Sequence, residues 1–150
     1  MRASMAVVVG LSVVLVAGVG PGRADPPIGV VKVVKGEAFV QRGDQALPAR
    51  DGMGLAEGDL LRTGPDGRLG VLLRDDTRLS LGPDSEIRID RFAFAPAQGN
   101  LALVLRMLRG AATYVSGKLA KLSPEAVRVE TPVGIVGIRG TQFAARIEAP

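Results

Sequence analysis

The chain has 150 residues, 19 Lys+Arg against 15 Asp+Glu, and neither Cys nor His. Lacking both types, it offers no disulfide, no thiolate or imidazole zinc ligand and no histidine base, so carboxylates are the main groups left for acid–base or metal chemistry. From residue 25 onward 17 basic residues stand against 15 acidic ones, interleaved as on an ordinary solvated surface, which is no footprint for nucleic acid.

The N-terminus reads as a secretory signal peptide over residues 1–24. Arg2 gives a short positive start, and Ala6 to Gly20 is uncharged and apolar. At 15 residues that run falls short of the roughly 20 that span a bilayer. Gly22-Arg23-Ala24 places small residues at −3 and −1, so cleavage is expected after Ala24. The expectation is a periplasmic protein whose residues 25–150 form one domain, with its core at about 30–147. An uncleaved anchor or a buried strand is the alternative.

Beyond residue 25 the apolar pattern has a period of two. Val31 and Val33 alternate with Lys32, and Ala38 and Val40 with Glu37 and Gln41. Leu69, Val71 and Leu73 share one face; Leu79 and Leu81 flank Ser80, and Ile87 and Ile89 flank Arg88. Val127 and Val129 flank Arg128, and Phe143, Ala145 and Ile147 form the last alternating set. Successive side chains of a strand point to opposite faces, so each run predicts a strand with one buried and one wet face. Turn signals punctuate the runs: Arg42-Gly43-Asp44, Asp51-Gly52, Glu57-Gly58-Asp59, Pro65-Asp66-Gly67, Asp75-Asp76 and Gly82-Pro83-Asp84-Ser85. The spacing suggests an all-β domain of short strands, antiparallel or solenoid-like, built as a sandwich, a barrel or a β-solenoid.

Leu101, Leu105 and Leu108 fit a helical stripe, but Gly110 leads straight into Ala112-Thr113-Tyr114-Val115. A strand with an irregularity near Gly110 is the expectation. Pro96 to Asn100 and Lys118 to Glu125 read as loops.

Nothing in the residues points to catalysis. Asp75-Asp76 and Glu57/Asp59 are the closest carboxylate pairs, and both sit in predicted turns, where Asp serves turn geometry. Ser116 with Lys118, or Ser80 with a distant lysine, would be a nucleophile pair without local support. The glycines of Gly134 to Gly140 lack the spacing and following helix of a nucleotide loop. Phe92 and Phe94 share a face at i, i+2 and suit the core better than a stacking platform. No catalytic residue, cofactor or metal is expected.

Three blocks resemble the FecR domain. Glu57 to Arg68 carries Gly58-Asp59, Arg62-Thr63-Gly64 and Gly67-Arg68. Leu72 to Ser85 carries an acidic turn, an apolar strand and Pro83-Asp84-Ser85. Val129 to Phe143 carries Thr131-Pro132, Gly137 and Arg139-Gly140-Thr141, the most specific set. The resemblance implies an extracytoplasmic all-β domain, with Thr131, Pro132, Gly137, Arg139, Gly140 and Thr141 as motif residues of structural role. The family's namesakes regulate ferric-siderophore uptake, holding a sigma factor inside and receiving a signal from an outer-membrane transporter. The few residues ahead of the apolar segment do not resemble an anti-sigma region, so similarity to stand-alone FecR-domain proteins is the expectation.

The expected function is that of an exported, non-enzymatic binding or sensing module for an envelope protein or cell-wall polymer, with no nucleic-acid partner. A membrane-tethered signalling component and a carboxylate-only hydrolase are the alternatives. The strand from Thr141 to Ile147 is expected to offer an open edge, a template for pairing with another chain or for self-association.

Overall fold

The computed structural model describes residues 25–138 and 142–148. The expected signal peptide and Arg139, Gly140 and Thr141 lie outside the described residues.

The all-β expectation holds. In chain order the strands are β1 (Gly29–Lys35), β2 (Ala38–Arg42), β3 (Gln45–Pro48), β4 (Gly54–Leu55), β5 (Leu60–Thr63), β6 (Arg68–Leu73), β7 (Arg78–Leu81), β8 (Glu86–Ala95), β9 (Asn100–Val115), β10 (Val127–Thr131), β11 (Gly134–Gly137) and β12 (Gln142–Ile147). The main ladder runs β3-β2-β5-β8-β9-β7-β6-β1-β4. Its pairs are antiparallel, and β12 joins β9 antiparallel as well. The connection from β9 to β10 is the exception: it crosses over and makes the pair parallel.

One long strand organises the molecule. The C-terminal part of β9 pairs with β7 and β12, in a first leaf completed by β6, β1 and β4. Its N-terminal part pairs with β8 and β10, in a second leaf completed by β5, β2, β3 and β11. Gly110 stands between the two parts with φ 88°, a backbone conformation that L side chains rarely adopt. The Leu101 to Leu108 segment is therefore strand, irregular near Gly110 as expected.

The two leaves close over one apolar core. Val31, Leu69, Leu73 and Leu79 enter it from the first leaf, and Val40, Leu61, Ile89, Leu103 and Leu105 from the second, all at most 2 % exposed. Each such side chain contributes about 1.5–3 kcal/mol by leaving water. Phe92 is buried and Phe94 packs against the same cluster, in keeping with a core role.

Two expectations need correction. Val31 and Val33 do not share a face: the register shifts between them, and Val33 is 47 % exposed while Val34 packs against the core. A bulge adds one residue to one strand and reverses the alternation beyond it. The segment read as a loop from Lys118 holds a short helix, α1 (Lys118–Leu122), followed by a 3-10 turn at Pro124–Ala126. The burial of Leu119 and Ala120 supplies what local propensity did not signal.

Candidate functional site

The family-like motif residues divide into a buried set and an exposed set. Thr63 ends β5, and Ser85 ends the turn between β7 and β8; they are 4 % and 0 % exposed. The Thr63 hydroxyl donates to the Gly82 carbonyl at 2.6 Å and accepts from the Ser85 N–H at 2.9 Å. The Ser85 hydroxyl accepts from the Ala111 N–H at 2.9 Å and has the Ala111 and Pro83 carbonyls at 3.0 and 3.1 Å as acceptors. Two small hydroxyls thus tie β5, the β7–β8 turn and the bend of β9 into one knot where the leaves join.

The predicted carboxylate pairs are likewise committed to structure. Asp59, 1 % exposed, accepts the Arg42 Nε and Nη2 donors at 2.9 and 2.7 Å and the Ala56 N–H at 2.8 Å. Glu57 accepts the Phe92 N–H at 3.1 Å. Asp75, fully buried, accepts from the N–H and hydroxyl of Thr77 and from the Leu119 N–H, which pins α1 to the β6–β7 turn. Gly117 is needed there because an added Cβ would lie 2.3 Å from the Asp75 carbonyl oxygen. Asp76 has φ 70° and pairs with Lys118 at 3.1 Å on the surface. Ser116 lies beside the Tyr114 hydroxyl, and Ser80 sits exposed on the outer face of β7. Among the described residues no three carboxylates gather into a cation site.

The exposed set is the β10–β11 hairpin. The Thr131 hydroxyl donates to the Gly134 carbonyl at 2.9 Å and accepts from the Val133 N–H at 3.3 Å, so Thr131 and Pro132 shape the turn. Gly137 pairs with Arg128 at the far end of the hairpin. Val133 is 90 % exposed, Ile135 63 % and Val136 43 %. Among the described residues β11 pairs with β10 and nothing else, which leaves its second edge free. Beside it lies an open groove of about 880 Å³, walled by Ala120, Pro124 and Val127 and by Arg128, Ile135 and Ile138. β12, the strand expected to be an open edge, pairs with β9 alone among the described residues.

A family model described as FecR protein matches residues 59–150, well over half of the chain. The chain belongs to the FecR family. No curated protein and no solved structure shows significant similarity. The matched region of this FecR domain begins at the buried Asp59 and takes in the Thr63–Ser85 knot and the exposed hairpin. The family is a regulatory and sensing one rather than an enzymatic one, related to regulators of siderophore uptake. In membrane-bound regulators its domains are typically periplasmic.

Sequence reasoning quoted Thr63 and Ser85 as motif letters and assigned them no role. Each stands at a turn, and no local pattern pairs a threonine with a serine 22 residues away. It likewise gave Val133, Ile135 and Val136, inside the last motif block, no role of their own. Their clue was an uncharged apolar run directly after a turn-forming Thr-Pro.

Proposed function

We propose that this FecR domain is exported and works without enzymatic chemistry as a binding and sensing module, receiving an extended segment of an envelope protein along the free edge of β11. The observation that carries the reading is an apolar, uncharged strand paired on one side among the described residues, with its Ile135 and Val136, and Val133 in the turn before it, held out of the core. Unpaired N–H and C=O groups along such an edge are a template for another strand. Strand addition draws affinity from main-chain hydrogen bonds and specificity from the side chains beside them. The groove at Ile135 and Arg128 supplies room for those side chains.

The test is crosslinking in the native envelope, followed by capture of the tagged protein and mass measurement of its N-terminus. A start at Asp25 with a discrete partner, lost in Ile135→Lys, supports the reading. An adduct of twice the chain's mass replaces the partner protein by a second copy. An intact N-terminus with an inner-membrane partner favours the tethered sensor, for which the apolar run Ala6 to Gly20 would be the anchor.

A further inference from the structure

The outward faces of the two leaves differ in charge. On the second leaf carboxylates interleave with the cations and pair with most of them, Arg88 and Arg91 excepted among the described residues. Glu86 holds both Arg62 and Arg109 at 3.2 Å, and Arg106 lies 3.1 Å from both Asp90 and Glu130. The strands of the first leaf carry Lys32, Lys35, Arg68, Arg78 and Arg146 and no carboxylate. All five are exposed, and none takes part in an ion pair among the described residues. The carboxylates at its rim lie in turns or past strand ends. Asp66 accepts the Glu37 N–H at 3.3 Å, Asp76 pairs with Lys118, and Glu148 follows β12.

The registers turn this face into a track. Val33, Gly70, Ser80, Thr113 and Ala144 stand opposite one another across β1, β6, β7, β9 and β12. With strands about 4.8 Å apart, that row of mostly small residues is about 19 Å long. Along one margin Lys35 stands directly opposite Arg68, and Arg146 opposite Ala111. Arg78 flanks the other margin. Two adjoining hollows of about 360 and 220 Å³ lie on this face and share Arg68 and Ser80 as walls. Like charges directly opposite each other cost stability in a sheet. Here no carboxylate of the leaf relieves Lys35 against Arg68, so an anion supplied from outside would.

The same face restricts what that anion belongs to. Its aromatics, Tyr114 and Phe143, point inward with ring centroids 5.1 Å apart, so no base-stacking platform faces out. Its central strands are paired on both sides, so a peptide cannot add to them as a strand. Val33 is the one large hydrophobic residue of this face among the strongly exposed ones, too little for insertion into a bilayer. What fits is an extended polymer with repeated negative charges and hydroxyls. We propose that the outer face of the first leaf binds an acidic polysaccharide. Its anionic groups meet Lys35, Arg68, Arg78 and Arg146, and its ring hydroxyls meet Ser80 and Thr113. This surface is separate from the β11 edge and does not depend on the reading of that edge.

The experiment uses the full chain and polygalacturonate as probe, with neutral dextran and polyglutamate as comparisons, titrated at several salt concentrations. Polygalacturonate should bind, weaken as salt rises, and outbind both comparisons. Arg68→Glu with Arg146→Glu should weaken it about tenfold or more, as charge reversal at a steering surface does. Arg91→Glu, on the second leaf, should leave it within about twofold. Unchanged circular dichroism and melting would show that the variants fold, and Ile135→Lys should bind the polymer like the parent. No binding at low salt, equal binding of polyglutamate, or a loss in Arg91→Glu half as large as in the double variant or larger would overturn the proposal.

Discussion

Thr63 and Ser85 are 4 % and 0 % exposed, and their hydroxyls bridge three separate pieces of backbone. Val133, in the turn before β11, and Ile135, on β11 itself, both from the last motif block, are 90 % and 63 % exposed, and among the described residues β11 is paired on one edge only. Both regions lie within the same family match. The difference teaches that a shared motif pattern can serve two ends. The first region keeps the leaves joined at the bend of β9, and the second holds an apolar strand away from the core, which is the strand proposed to bind. Substitutions in the two should therefore separate cleanly, with stability lost in the first and binding lost in the second.

The largest effect belongs at the bend. An added Cβ at Gly110 would lie 2.2 Å from the Ser85 hydroxyl oxygen, on a backbone with φ 88°. Gly110→Ala should cost about 3–5 kcal/mol through strain and overpacking together. Urea unfolding reads it as a lower midpoint at unchanged slope, and a loss below about 1 kcal/mol would dissolve the contrast. Next comes Thr63→Val, which keeps the shape but leaves the Ser85 N–H and the Gly82 carbonyl without this partner. About 2–4 kcal/mol should be lost. Arg42→Ala should cost about 2 kcal/mol, because among the described residues the buried Asp59 carboxylate would keep one hydrogen-bond donor, the Ala56 N–H.

A smaller effect is a pH dependence at the core. Tyr114 is the chain's single tyrosine, and burial pushes its hydroxyl above the ordinary value, with the Ser116 and Thr77 hydroxyls working the other way. The fold thus favours the neutral form. Its contribution is fully present below about pH 10 and is lost as pH rises through the folded value. Absorbance at alkaline pH reads this titration directly. Tyr114→Phe should flatten the decline of the urea midpoint above about pH 10. Smallest of all, Ile135→Lys on the exposed hairpin should change stability by about 0.5 kcal/mol or less.

How much of this was legible in the sequence follows from the range of each cause. Alternation in Leu69, Val71 and Leu73 or in Ile87 and Ile89 is local, and it marked both the strand and its buried face. Gly110 announced its own irregularity. Bulges are a matter of register between two strands, so Val33 was placed on the wrong face. Helix α1 is held by Asp75, 44 residues from its partner Leu119, and nothing within five residues could signal it. The turn reading of Asp75 and Asp59 had the right location and missed the burial, which depends on Leu119 and Arg42 from other elements. The exposed run at Val133 was readable as apolar. Its exposure was not, because it depends on what lies against β11.

The β11 edge is where the proposed partner would bind. A photocrosslinking residue at Val133, with Val33 on the outer face of the first leaf as the control position, tests it directly in the native envelope. The expected result is one discrete protein adduct from position 133, absent from position 33 and abolished by Ile135→Lys in a protein that still folds. Equal adducts from both positions, or an adduct at 133 that survives Ile135→Lys, would contradict it.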